Sequence, residues 1–174
     1  MSICCSVMDH TQRQERSLAL GRTLPADLSA GATALKDKPS DPEAARLHAL
    51  LEVAYLAASA DDKITEQEID LLVTNLQSWL QAKLEPAFLI ELFEHLGRQL
   101  AAEGFQARLA AAGAVLDTES KRIAYRLACV TALCDHDVHD DELKFLGGIA
   151  DAFKIPVDEA QAIFDALDDV ITPQ

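Results

Sequence analysis

The chain has 174 residues, which is long enough for one domain with a hydrophobic core; 49% of them are hydrophobic and only 5% aromatic. Because alanine and leucine must then supply most of the buried surface, the composition favours packed helices. The formal net charge of −14 repels phosphate backbones and anionic headgroups, which argues against binding to nucleic acid or to a membrane surface. Divalent cations and basic protein surfaces are the partners that such a charge favours.

No apolar run reaches the roughly 18 residues that a membrane helix needs, and the N-terminus lacks the apolar core of a signal peptide. We therefore expect a cytoplasmic protein. Four cysteines are too few for a disulfide framework in a chain of this length, so we expect reduced thiols. Cys129 is predicted to lie in the core, and Cys134 is a minor candidate for a soft metal ligand.

The first 40 residues show no sustained helical period. They carry a net charge of +1, whereas the remainder carries −15. Gly21, Pro25, Gly31 and Pro39 interrupt them. We predict an N-terminal arm at residues 1–40, irregular or partly helical with a short helix near residues 26–35, that is either free or packed across a domain at residues 41–174.

Seven helices are predicted beyond the arm, because apolar residues recur there at helical spacing and no alternating strand pattern occurs. The first helix begins at Asp41-Pro42, a cap residue followed by proline at the first helical position. The apolar stripes lie within residues 47–58, 69–80, 89–100, 105–116, 123–134, 143–153 and 160–167. Gly147-Gly148 in the sixth helix costs roughly 1 kcal/mol per residue relative to alanine. We expect another helix to approach closely there, with a kink as the alternative.

One pattern of residue types occurs twice, at a constant offset of 74 residues. In each copy a helix of small apolar residues leads into an acidic turn, and a second acidic helix follows. The matching pairs are Asp61 and Asp135, Ile64 and Val138, Glu66 and Asp140, Glu68 and Glu142, Ile69 and Leu143, and Leu72 and Leu146. We name residues 61–65 the first junction and residues 135–139 the second junction. The repeat predicts an all-α bundle with two pseudo-equivalent helical hairpins.

Helix capping accounts for part of this pattern. Thr65 and Glu68 fit the capping box, in which the hydroxyl and the carboxylate accept hydrogen bonds from opposite backbone amides. In the second copy His139 or Asp140 must cap the helix instead, which is weaker chemistry. Solvated capping residues are therefore one interpretation of the acids, and a protein-binding surface is another.

A calcium-binding EF-hand is excluded. Counting from Asp135, the sixth position is Asp140 instead of glycine, and the twelfth is Leu146 instead of the bidentate glutamate. The first copy departs from the motif at the same two positions.

A cation site shared by both junctions is the metal-binding interpretation that remains. If the hairpins pack about a pseudo-twofold axis, they bring together four oxygen ligands suited to Mg²⁺, Ca²⁺ or Mn²⁺. These primary candidates are Asp61, Glu68, Asp135 and Glu142. The secondary candidates are Asp62, Asp137, His136 and His139, of which the histidines would favour Zn²⁺.

The two copies of helix, aspartate turn and glutamate-bearing helix resemble the TerB-like domain of bacterial tellurite resistance proteins, whose fold is similar to the N-terminal region of the DjlA-type co-chaperones. The resemblance covers about residues 41–171. It implies an all-helical domain with a cation site at the paired junctions, to which the four primary candidates correspond by position. It also implies a role in stress response with membrane-bound and other Ter partners. The family usually has glycine where this chain has Asp62 and His136.

No enzyme class is indicated, because the chain lacks a Gly-rich phosphate loop, a nucleophile elbow and a His-Glu-x-x-His helix. Our leading hypothesis is a non-catalytic interaction module that responds to a divalent cation and is recruited to the inner membrane by a partner. The alternative is a metal-free, DjlA-like helical adaptor whose acidic face binds a basic protein. The sequence does not indicate an oligomeric state.

Overall fold

The computed structural model describes residues 9–60, 64–134, 138 and 140–172. Over these residues the chain forms nine α-helices and no strand. The helices are α1 (His10–Gly21), α2 (Leu28–Asp37), α3 (Pro42–Ala58), α4 (Glu66–Trp79), α5 (Pro86–Glu103), α6 (Phe105–Val115), α7 (Thr118–Cys134), α8 (Asp140–Ala152) and α9 (Val157–Ile171). The predicted all-α fold is confirmed. The seven predicted helices correspond to α3 to α9, and α1 and α2 lie within the first 40 residues.

Two helices begin at the capping residues that the sequence predicted. The carboxylate of Asp41 accepts a hydrogen bond from the amide of Glu43 at 2.9 Å, and Pro42 takes the first position of α3. At the start of α4 the capping box is complete: the amide of Glu68 donates to Thr65 Oγ1 at 3.2 Å, and the amide of Thr65 donates to Glu68 Oε2 at 2.7 Å. These local contacts fix where α3 and α4 begin.

Helices α3 and α7, each of 17 residues, form the centre of the bundle. Among the described helices no other pair packs as extensively. Near their N-terminal ends Arg46 Nε donates to Ser120 Oγ at 2.7 Å, and near their C-terminal ends Ala58 and Thr131 line the same small pocket. The two helices therefore lie side by side and point in the same direction. Arg46 and Ser120 are 74 residues apart, which is the offset of the repeat, so equivalent positions of the two copies meet.

The other helices surround this pair, and α1 packs against α4, α7 and α9. Ser17 Oγ donates to Asn75 Oδ1 at 2.6 Å in a buried hydrogen bond, and Trp79 Nε1 donates to the carbonyl of Ser17 at 3.0 Å. The indole also lies against Gly21, where an added Cβ would be 2.3 Å from it. Helix α1 is thus packed across the bundle and fastened to α4.

The expected close approach at Gly147-Gly148 is wrong. A Cβ added at either glycine would meet no atom of the described residues within 4 Å. Helix α8 continues through both positions from Asp140 to Ala152. The two glycines therefore face open space on an unbroken helix, and the structure shows no packing that compensates for their low helix propensity.

None of the helices that the structure describes is long and apolar enough to cross a membrane.

Candidate functional site

Most of the predicted ligands lie outside the described residues. They are Asp61, Asp62, Asp135, His136, Asp137 and His139. The other two, Glu68 and Glu142, occupy the first turns of α4 and α8. Within the described ranges, no three His, Cys, Asp or Glu side chains lie close enough together to hold a metal ion. The geometry of the candidate site therefore rests on the helices that lead into and out of the two junctions.

Glu68 is the best-defined of the predicted ligands. Its Oε2 accepts hydrogen bonds from the amide of Thr65 at 2.7 Å and from Thr65 Oγ1 at 3.0 Å. Its Oε1 accepts no hydrogen bond from the part of the chain that the structure describes. The carboxylate is half-buried, so a capping role and a ligand role use different oxygens of the same group.

A pocket of about 30 Å³ shows what Glu68 lies against. Ala58 at the end of α3 and Thr131 near the end of α7 line it together with Glu68 and Asn75 of α4. The glutamate of the first copy thus lies beside the terminal turn of the second copy's leading helix. The ends of α3 and α7, from which the two junctions start, meet at this place.

The acidic residues at the start of α8, in the second copy, are more exposed than Glu68. Asp140 and Asp141 are exposed in the first turn of α8, whereas Glu142 is half-buried. Asp141 lies 3.8 Å from Lys144, with both side chains more than three-quarters exposed, and such pairs contribute little to stability. The positive end of the α8 dipole stabilises all three carboxylates by a few tenths to about 1 kcal/mol each.

The C-terminal ends of α3 and α7 meet beside Glu68. The last carbonyls of α3 and α7 carry partial negative charge, and neither helix has a basic residue in its last turn. The arm supplies one positive charge, because Arg16 Nη1 of α1 donates to the carbonyl of Leu133 at 3.2 Å. Carbonyls, carboxylates and dipoles at this end of the bundle together favour a cation.

The thiols are less suited to a metal role. Cys129 was predicted to lie in the core and is fully buried, and burial raises the pKa of its thiol to about 12. That thiol stays protonated at neutral pH. Cys134, which precedes the second junction, is also buried, with 3% of its surface exposed.

A buried ion pair escaped the sequence analysis. Arg108 Nε of α6 lies 2.7 Å from Glu52 Oε1 of α3, and the side chains are 11% and 5% exposed. Arg108 Nη1 also donates to Glu103 Oε2 at 3.1 Å. The hydrogen bond to Glu52 raises the pKa of Arg108, and burial lowers the pKa of the neighbouring His48. The one available signal was a glutamate within the apolar run of α3, which must find a partner when buried.

Comparison with known proteins gives a match over most of the chain. The family model described as tellurite resistance protein TerB matches residues 43–164. That range contains α4 to α8, nearly all of α3 and half of α9, and so includes both hairpins. The searches of curated proteins and of solved structures return no significant match. The match spans well over half of the chain, and the chain therefore belongs to the TerB family.

Proposed function

We propose that this protein is a non-catalytic interaction module of the tellurite-resistance type, in which the two acidic junctions together bind one divalent cation. The observation that supports the proposal is the parallel pairing of α3 and α7, whose C-terminal ends meet beside Glu68. A cation held there would link the two hairpins. A protein partner that binds a neighbouring surface would then distinguish the cation-bound form from the cation-free form.

The residues present fit a hard cation. Asp61 and Asp135 follow the ends of α3 and α7, and Glu68 and Glu142 stand in the first turns of the helices that come next. Carboxylate oxygens are the ligands that Mg²⁺, Ca²⁺ and Mn²⁺ take in proteins. Each helix C-terminus adds roughly 0.3–1 kcal/mol of attraction for a nearby positive charge. His136 would be the residue to draw the site toward Zn²⁺.

Thermal unfolding tests the proposal directly. The protein is treated with chelator, dialysed and melted with millimolar Ca²⁺, Mg²⁺, Mn²⁺ or Zn²⁺. A ligand present at about 100 times its Kd raises the melting temperature of a chain of this size by about 5 °C or more. Asp135→Asn should abolish that gain. Glu68→Gln should reduce it while keeping the capping box, because glutamine also serves at that position.

Glu119→Gln is the matched control. It removes one exposed carboxylate from the first turn of α7, at the opposite end of that helix from the second junction, and should retain the full gain. If none of the four cations shifts the melting temperature of the parent protein, the cation proposal is wrong.

The second candidate is a metal-free, DjlA-like adaptor whose acidic face binds a basic partner. Two contacts favour this candidate. Thr65 already donates a hydrogen bond to the carboxylate of Glu68. Arg16 already supplies a positive charge at the end of α7. The adaptor predicts an association that weakens with salt and ignores chelators. In both versions we propose a cytoplasmic protein whose partners include other Ter-type stress proteins, with recruitment to the inner membrane through a membrane-bound partner.

A further inference from the structure

Helix α1 lies in a groove formed by α4, α7 and α9, which we name the α1 groove. On the α7 side, Arg16 Nη1 donates to the carbonyl of Leu133 at 3.2 Å. Further along, Arg126 Nη1 of α7 donates to the carbonyl of Thr23, just after α1, at 3.3 Å. Both segments advance seven residues between these two bonds, so α1 runs antiparallel to α7.

The contacts with α4 show the same regular spacing. Ser17 Oγ donates to Asn75 Oδ1 at 2.6 Å, and the indole of Trp79 lies against Gly21. Both helices advance four residues between these contacts, so α1 runs parallel to α4. The side chain of Leu20 is fully buried in the same interface. The contacts of α1 thus keep one register on both neighbours, as in the packing of a helix into a groove.

A second groove of the bundle is filled in the corresponding way. Helix α6 packs against α3, α5 and α8, whereas α1 packs against α7, α9 and α4. Exchanging the two copies of the repeat converts one set into the other, because α3 and α4 correspond to α7 and α8, and α5 and α9 each follow a hairpin. Equivalent positions of the repeat hold both filling helices: Glu52 binds Arg108 of α6, and Arg126 binds the end of α1. The α1 groove is therefore one of two corresponding grooves that each accommodate a helix.

The α1 groove and its occupant differ in their relation to the family. The match at residues 43–164 includes α4, α7 and the first half of α9, which form the groove, but not α1. Of the 12 residues of α1, Ser17 and Leu20 are buried, and Leu18 is 43% exposed. A pocket of about 190 Å³ remains between α1 and α4. Helix α1 thus fills the groove incompletely.

We propose that the α1 groove is a docking site for a helix of a partner protein, and that α1 blocks it until that helix displaces α1. The contacts of α1 define the chemistry of the partner helix. It presents an arginine to the last carbonyls of α7, a small hydroxyl residue beside that arginine to Asn75, and a leucine three positions later to the apolar interior. Side chains that also fill the pocket beside α4 give it the advantage over α1. The inference rests on the proposed role as an interaction module, but it does not depend on the cation.

A peptide of residues 9–23 tests the proposal on the full chain. It carries fluorescein and the substitutions Thr11→Ala and Gln14→Ala, which change exposed positions and raise helicity. The tethered α1 competes at an effective concentration of roughly millimolar, so the parent protein should bind the peptide weakly. Leu20→Asp in the protein weakens the tethered copy, because it would bury a charge. We expect that variant to bind the peptide at least about tenfold more tightly than the parent does, by fluorescence anisotropy with chelator present.

Leu18→Asp is the matched control, because it introduces the same charge at an exposed leucine of the same helix. It should bind the peptide as weakly as the parent does. A peptide that carries Leu20→Asp should bind none of the proteins. Gly21→Ala repeats the test without a buried charge, since the added Cβ would lie 2.3 Å from the indole of Trp79. It should also bind the peptide more tightly than the parent.

Trp79 reports directly on whether α1 is docked. It is the one tryptophan of the chain, and its Nε1 donates to the carbonyl of Ser17 at 3.0 Å. In the Leu20→Asp variant its emission should shift to longer wavelength and acrylamide should quench it more strongly. Circular dichroism should keep most of the helical signal, and melting should stay cooperative. Saturating peptide should reverse the shift of the emission.

Three results would overturn the proposal. They are equal peptide binding by the Leu20→Asp and Leu18→Asp variants, loss of the whole fold in both Leu20→Asp and Gly21→Ala, and a dimer in sedimentation that Leu20→Asp dissociates. The second result would make α1 an integral part of the core, and the third would assign the groove to α1 of a second copy. Because the peptide assay contains chelator, its failure is distinct from the absence of a melting shift with divalent cations.

Discussion

The two ends of the pair of helices α3 and α7 differ in how their charges are balanced. At the N-terminal end Arg46 donates to Ser120 and lies 3.6 Å from Asp27 and 3.7 Å from Glu43. At the C-terminal end two helix dipoles converge beside Glu68, and Arg16 of α1 donates to the carbonyl of Leu133. We call the first the closed end, because Arg46 already joins the two helices and faces two carboxylates there. We call the second the open end, because neither helix has a basic residue in its last turn.

The largest expected effect concerns the buried pair midway between these ends. Arg108→Ala leaves the carboxylate of Glu52 buried without its partner, which typically destabilises a protein by about 3–5 kcal/mol. Urea unfolding measures the loss. Arg98→Ala, at an exposed arginine of α5, should change stability by no more than about 0.5 kcal/mol.

The double variant Glu52→Leu with Arg108→Leu sharpens this prediction. Removing both charges avoids the unpaired carboxylate, so the double variant should be more stable than Arg108→Ala. If it is less stable, the pair contributes more than the avoidance of a buried charge, and α6 depends on it for its attachment to α3.

The closed end gives the next largest effect. Arg46→Met keeps the aliphatic stem but removes the donor to Ser120, whose residue is 2% exposed, and should destabilise the fold by about 1–2 kcal/mol. A double-mutant cycle with Ser120→Ala isolates the coupling. Since this end lies at the opposite end of α3 and α7 from the junctions, the loss should be the same with and without divalent cation. A cation-dependent loss would contradict the distinction between the two ends.

At the open end Arg16→Gln should destabilise the protein by about 0.5–1 kcal/mol, because α7 loses the positive charge at its last carbonyls. A bound divalent cation supplies positive charge at the same place, so the loss should shrink when Mn²⁺ or Mg²⁺ is present. Arg22→Gln changes an exposed arginine at the end of α1 and is the control. A loss that stays constant as cation is added would show that Arg16 and the ion do not act on the same charges.

The features that sequence reasoning predicted are those with local signals. Asp41-Pro42 and the Thr65 and Glu68 capping box define helix starts within four residues, so the pattern alone located α3 and α4. The repeat also led to the hypothesis that the two hairpins pack about a pseudo-twofold axis. The bond between Arg46 and Ser120 joins one pair of equivalent positions, as such packing requires, but it does not test the four candidate ligands.

The features that it missed depend on contacts between distant residues. Helix α1 buries only Ser17 and Leu20, too few for an apolar period, and its fastening to Asn75 spans 58 residues. Glu52 and Arg108 are 56 residues apart. Helix propensity predicts the free-energy cost of Gly147 but not which residues pack beside it, and the expected close approach of another helix was wrong. The ligand set at the two junctions stays a prediction, since Asp61, Asp135 and their neighbours lie outside the described residues.

The smallest expected effect is a pH dependence at the closed end. Asp117 precedes α7, and its Oδ1 accepts a hydrogen bond from the amide of Ser120 at 2.7 Å. That bond is the main reason why the pKa of Asp117 is below its ordinary value. A carboxyl group whose pKa is lowered by folding stabilises the fold fully above the unfolded value of about 3.9, and this contribution is lost as the pH falls through the folded value.

Asp117→Asn separates this titration from capping. Asparagine caps helices about as well as aspartate but does not titrate, so stability at pH 7 should change little. The fall in stability below about pH 4 should become shallower, which urea unfolding at a series of acidic pH values would measure. Asp158→Asn, at an exposed acid in the first turn of α9, serves for comparison and should leave more of the fall in place. If Asp117→Asn has the same pH profile as the parent protein, Asp117 does not carry the acid sensitivity, and another carboxyl group with a lowered pKa, such as Glu159 beside Arg122, must carry it.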